Sequence, residues 1–179
     1  LVKNAPGYLI SLLADGAGFF AGTSGRGAFR CEADSCEPVS APDLEAGPVV
    51  FQIFRDRDGV TWFATDSGLL KRAASTFATL EPSDGFPEPV AIYGMAETRD
   101  GAVWFAAGSQ GVLRLGPDSR VRRFTWRDGL PGSTVTHVFP SADGRFVWVA
   151  TRRGLARIEG DRVAIRPLPR AEVSDLSVG

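Results

Sequence analysis

Histidine occurs once in this chain and methionine once. No serine, cysteine or carboxylate is placed by sequence to serve that one imidazole, His137, as a catalytic partner. Catalytic residues, a metal centre and a cofactor are therefore not expected. Lysine is almost missing too, contributing 2 of the 20 basic residues, and the arginines look scattered along the chain. With a formal net charge of −1, no overall field draws the protein to nucleic acid or to an anionic membrane. No apolar run reaches the roughly 18 residues that a membrane span needs. There is no initiator methionine and no leader; the chain opens Leu1-Val2-Lys3-Asn4. We read it as a piece of a longer polypeptide, with any membrane attachment in segments outside it.

Cysteine is limited to Cys31 and Cys36, which flank four polar residues typical of a turn. On a hairpin the two side chains can face each other at bridging distance. A disulfide, which would imply an oxidising compartment, two free thiols and a metal pair all remain open at this point.

Glycine (21) and proline (12) are plentiful, as suits short strands joined by tight turns. They fall in a repeat. Asp58-Gly59-Val60-Thr61-Trp62-Phe63-Ala64-Thr65 returns as Asp100-Gly101-Ala102-Val103-Trp104-Phe105-Ala106-Ala107 and as Asp143-Gly144-Arg145-Phe146-Val147-Trp148-Val149-Ala150-Thr151. A weaker copy starts at Asp15-Gly16, where Phe19 takes the tryptophan's place by alignment. The Asp-Gly pairs begin at 15, 58, 100 and 143, a period of 43, 42 and 43 residues. A strand-rich unit of that length predicts a β-propeller. Each unit reads as four short strands, with Gly in the hairpin turn and a large ring on the second strand to fill the wedge between neighbouring sheets.

The expected fold is all-β: four four-stranded blades at about 7–40, 49–80, 90–126 and 134–168, plus the first strand of a fifth at 172–179, where Val173 and Leu176 repeat the inner-strand spacing. Four blades with open edges predict part of a larger, seven- or eight-bladed ring. The alternative is a homodimer in which two copies complete one. Asp84-Gly85-Phe86-Pro87 and Asp128-Gly129-Leu130-Pro131 mark the crossings from the outer strand of one unit to the inner strand of the next.

The last unit, Asp128-Gly129-Leu130-Pro131 through Val135, Val138, Asp143-Gly144, Trp148, Thr151 and Gly154-Leu155, resembles the two-component regulator propeller repeat. The resemblance covers nearly the whole chain. The third unit departs from the pattern at Ala107 and has one extra residue before Gly111; the first lacks the tryptophan. The resemblance implies a seven-bladed propeller in the extracytoplasmic, periplasmic sensor part of a bacterial histidine kinase, hybrid regulator or diguanylate cyclase. It implies a non-enzymatic module whose ligand is a small molecule or glycan, an oligosaccharide in the better understood members. A lyase like the virginiamycin B lyases, whose propellers carry similar Asp-x-x-Gly-x-x-Trp phrases, and a protein-interaction scaffold are the alternatives.

In a propeller, the loops from outer to inner strands and from second to third strands share one face, and that face varies without disturbing the blades. This nominates Asp66, Ser67, Ser109, Gln110, Arg152 and Arg153, together with Trp126 and Arg127. Paired arginines suit a carboxylate or phosphate, and Trp126 suits a sugar ring. His137 joins them from an inner strand near the central channel. Asp56-Arg57-Asp58-Gly59 reads as a turn, lacking the further oxygens of a calcium loop. Arg120, Arg122 and Arg123 read as a solvated outer edge.

Overall fold

A computed structural model describes residues 7–74, 76–87 and 90–166. The expected first strand of a fifth blade, 172–179, lies outside these residues. The first sheet comprises β1 (Leu9–Asp15), β2 (Gly18–Thr23), β3 (Ala28–Glu32) and β4 (Ser35–Pro38). The second comprises β5 (Val50–Arg55), β6 (Thr61–Thr65), β7 (Leu69–Ala73) and β8 (Thr76–Thr79). The third has β9 (Gly94–Glu97), β10 (Val103–Ala106), β11 (Val112–Leu115) and β12 (Val121–Phe124), and the fourth β13 (Val135–Pro140), β14 (Val147–Thr151), β15 (Gly154–Glu159) and β16 (Arg162–Arg166). Every sheet is an antiparallel meander in chain order. A one-turn helix, α1 (Pro42–Glu45), lies between the first two sheets. Among the described residues no helix is long and apolar enough to cross a membrane.

The sheets are blades. The inner strands neighbour one another in the order β1, β5, β9, β13, and a separate apolar cluster fills each gap between consecutive sheets. Phe20 with Val50, Ile53, Phe63 and Leu70 fills the first gap. Trp62 with Met95, Phe105 and Leu113 fills the second. Trp104 with Val138, Val149, Ala156 and Ile158 fills the third. Each of the first three blades thus turns a large ring forward, onto the backward face of the next. Burying such a ring is worth roughly 4–6 kcal/mol before entropy is charged against it.

The turn that closes the first hairpin of each blade sets where that ring falls. The closing backbone bond runs from Asp56 N to Val60 O in the second blade and from Thr98 N to Ala102 O in the third. In the fourth it runs from Ser141 N to Phe146 O, so the extra residue sits inside the turn. The first blade has the tightest hairpin, with Asp15 paired directly to Gly18. The ring lies two residues past the closing residue each time: Trp62, Trp104, Trp148 and, in the first blade, Phe20. The expectation for Phe19 is corrected accordingly. Phe20 sits opposite Arg30, as Trp104 sits opposite Arg114, whereas Phe19 points backward against Phe29, Cys31 and Cys36. The Asp-Gly glycines earn their place by backbone angle. Gly59 and Gly144 have φ of +80° and +66°, and Gly144 also accepts a hydrogen bond from Arg99 N of the preceding blade at 2.7 Å.

Cys31 and Cys36 stand directly opposite on β3 and β4 and are joined by a disulfide. Of the three readings the sequence left open, the bridge is the one the structure holds. The last strand of the third blade stops at Phe124, and Trp126–Asp128 form a 3-10 turn. Trp126 is therefore on the crossover and not on the outer strand.

Candidate ligand-binding face

The antiparallel meanders divide the molecule into two ends. One carries the first and third hairpin turns of every blade. The other carries the second hairpin turns and the crossovers, so eight of the nine nominated residues meet at that loop end, and His137 lies on an inner strand. The loop end is built by a repeated threonine device. Thr23, Thr65 and Thr151 each donate a side-chain hydrogen bond across the second turn, to the carbonyls of Gly27, Gly68 and Gly154 at 2.7–2.9 Å. Each hydroxyl also accepts from a backbone N–H within the turn, that of Arg26, Ser67 or Arg153. The third blade has Ala107 at this place. Its longer turn is held by backbone bonds from Gln110 N to Ala107 O and from Gly111 N to Gly108 O.

The nominated residues do not share one site. Asp66 ties its turn to the start of the inner strand, accepting from Val49 N at 3.2 Å. Ser67 lines a cleft of about 380 Å³ with Asp43, Thr79 and Glu81. Ser109, Trp126 and Arg127 do come together, in a cleft of about 460 Å³ completed by Arg123, Thr125 and Ser133. Gln110 borders it through its backbone carbonyl, which accepts from Arg123 Nε at 2.7 Å. Arg152 and Arg153 line a neighbouring cleft of about 530 Å³ with Pro131, Leu155 and Arg166. The crossover 125–134 separates these last two clefts; Ser133 lines one, Pro131 the other, and Thr134 O accepts from Arg152 N. His137 is elsewhere. It stacks on Phe139 at 5.8 Å, in a cleft of about 630 Å³ along the inner strands with Phe51, Gln52 and Tyr93.

Trp126 is 60% exposed, while Trp62 and Trp104 are buried between blades. It is presented by the 3-10 turn, which Thr125 and Asp128 cap reciprocally. The Asp128 carboxylate accepts from Thr125 N at 2.7 Å and from Thr125 Oγ1 at 2.9 Å. These bonds, the backbone one foremost, hold its pKa below the usual carboxylate value. The Arg127 guanidinium lies 5.3 Å from the Trp126 ring centre, a cation–π contact. The surface is therefore a flat aromatic face beside guanidinium and hydroxyl donors.

Arg123 was missed in the sequence, where Arg120, Arg122 and Arg123 read as one solvated edge. The alternation of β12 was the available signal. Arg122 pairs with Asp161 and Arg120 with Asp118, whereas Arg123 reaches the Gln110 carbonyl and the Trp126 cleft.

No protein-family model and no curated protein matches the chain. Solved structures do. The extracellular domain of the putative hybrid two-component system BT4673 from B. thetaiotaomicron superposes with a TM-score of 0.75 at 21% identity, over 94% of this chain and 23% of that one. The corresponding domain of BT3049 from the same organism gives 0.68 at 18% identity, over 90% and 22%. Virginiamycin B lyase from Staphylococcus aureus gives 0.70 at 16% identity, over 95% of this chain and 59% of that one. The chain thus spans under a quarter of the two-component domains it matches. Its blades share their architecture with the extracellular domains of two-component systems, and a lyase shares it too.

Proposed function

We propose that this chain is a non-enzymatic ligand-sensing module of a bacterial signal-transduction protein, acting on the extracytoplasmic side, in the periplasm. Its ligand is a small molecule or glycan bound at the loop end, in the cleft around Trp126. One observation carries the reading: the tryptophan that is not needed between blades is the one left exposed, in a cleft with hydroxyl and guanidinium donors. Ring stacking with a few oriented polar groups is how a sugar-sized ligand is held. The Cys31–Cys36 disulfide favours an oxidising compartment, and the repeat grammar favours a sensor over a lyase.

The test is a panel of oligosaccharides titrated against the 179-residue chain by calorimetry, with Trp126→Ala alongside. Specific binding that falls at least about tenfold in the variant, the size of a lost aromatic anchor, is the expected result. Binding that ignores the substitution would overturn the site. A catalysed change in the ligand would move the reading to the lyase class.

A further inference from the structure

The two ends of the molecule treat arginine differently. At the hairpin-turn end most arginines are matched with carboxylates: Arg30 and Arg55 with Asp15, Arg57 with Glu97, Arg114 with Asp100, Arg122 with Asp161, Arg145 and Arg157 with Glu159; Arg72, Arg99 and Arg162 stand apart from one another there without such a partner among the described residues. On the loop end of the third and fourth blades the pairing stops. Among the described residues, Arg123, Arg127, Arg152 and Arg153 have no carboxylate within 4 Å. The acidic residue on that crossover, Asp128, accepts instead from Thr125. Among the described residues, Asp43 and Glu81 line the cleft at the second blade, Asp66 accepts from Val49 N and Asp84 from Glu81 N. A chain with a net charge of −1 thus carries a concentrated positive field on either side of one crossover.

We infer that the ligand of this face is an anionic saccharide, one that carries a carboxylate; the inference rests on the sensing role proposed above. Trp126 offers a ring-sized apolar surface. Ser109 and Ser133 supply hydroxyls. Arg127 is oriented by its contact with Trp126, which is not a hydrogen bond and leaves the guanidinium donors available. Arg123 is fixed through Nε alone, on the Gln110 carbonyl. Planar guanidinium forks match a carboxylate in two-point geometry. Unneutralised arginines also raise the local concentration of an anion and speed its capture. A neutral sugar would gain hydrogen bonds from them but no charge–charge attraction.

The experiment titrates the chain with a uronic-acid trisaccharide, with its carboxyl-reduced neutral counterpart and with inorganic sulfate, by calorimetry at about 0.05 M and about 0.5 M sodium chloride. The acidic trisaccharide is expected to bind at least about tenfold more tightly than the neutral one at low salt, and to lose most of that margin at high salt. Arg127→Gln should weaken it by about three- to tenfold and shrink its salt dependence, with far-UV circular dichroism unchanged. Equal binding of the two trisaccharides at both salts overturns the anion inference and leaves the sensing site standing. Sulfate that displaces the acidic trisaccharide at equal concentration overturns the saccharide part. Failure of every probe to bind overturns this inference and the Trp126 site together.

Discussion

A buried indole N–H needs an acceptor, and this chain supplies it from the first hairpin turn. Trp62 Nε1 donates to Asp56 Oδ2 at 2.7 Å, and Trp104 Nε1 to Thr98 Oγ1 at 2.9 Å. Donor and acceptor are six residues apart in both blades, so the turn length is tied to the ring's position. Replacing Trp104, which is 2% exposed, by Ala is expected to cost about 3–5 kcal/mol in urea unfolding. The same change at half-buried Trp148 should cost less than half as much. Asp15 plays another part at the equivalent place. It bridges blades, pairing with Arg55 of the second at 2.6 Å and with Arg30 of its own at 2.9 Å. The Arg55 hydrogen bond is the main cause holding its carboxyl below the usual pKa. A depressed folded-state pKa gives stability that is present above the unfolded value of about 4 and lost as pH falls through the folded value. Asp15→Asn should therefore destabilise the protein at pH 7 and converge with the parent in acid; urea midpoints at about pH 7 and about pH 3 check it.

Among the elements, the β3–β4 hairpin has the clearest signature. Its disulfide stands where the third and fourth blades have the apolar cross-strand pairs Leu115–Val121 and Ile158–Val163. Reduction should lower stability by about 2 kcal/mol, the loop-closure value for so short a bridge, and hydrogen exchange should quicken first in β3 and β4. The second-turn threonines invite a parallel test. Thr151→Val removes the bond to Gly154 O and the acceptor for Arg153 N, at an expected cost of about 1–2 kcal/mol. Thr65→Val should behave alike, since Thr65 makes the same pair of bonds. The blades were legible in the sequence because a turn, a ring and a threonine recur at fixed spacing. Phe20 was not, because the first hairpin is shorter and slides the alignment by one residue relative to Asp-Gly. The site was legible as loop residues but not as a site. Which of them share a cleft depends on the crossover's path, and Arg123 is separated from Arg122 only by strand alternation.

At the scale of the molecule, two blade faces stay open among the described residues. Trp62, Ala64 and Leu69 are buried on the forward face of the second blade, and Trp104, Ala106 and Val112 on that of the third. The matching Trp148, Ala150 and Leu155 are only half-buried, and Phe139 beside them is 51% exposed. On the backward face of the first blade Leu12 is 61% exposed. We propose that a further blade of the same repeat covers Trp148, from residues beyond those described or from a second copy. For the 179-residue chain, light scattering at micromolar concentration should show a dimer that Trp148→Arg dissociates; a stable monomer would count against pairing. The clustering of unmatched arginines belongs to this scale as well. In the sequence they look evenly spread, and only the two-ended meander brings Arg123, Arg127, Arg152 and Arg153 to one part of one end.

Because every sheet turns its large second-strand ring to one side only, the array is directional, and one period is a removable unit. Deleting Ile92–Thr134 would join Ala91 to Val135, the residue that occupies the same inner-strand place as Ile92. Trp62 would then meet Val138, Val149 and Ala156 in place of Met95, Phe105 and Leu113: the same kind of surface, but with smaller side chains. Such a shortened protein should still fold, at the expense of a void beside that indole. The length of the lineage can thus change in whole steps of about 43 residues, each step leaving front still facing back.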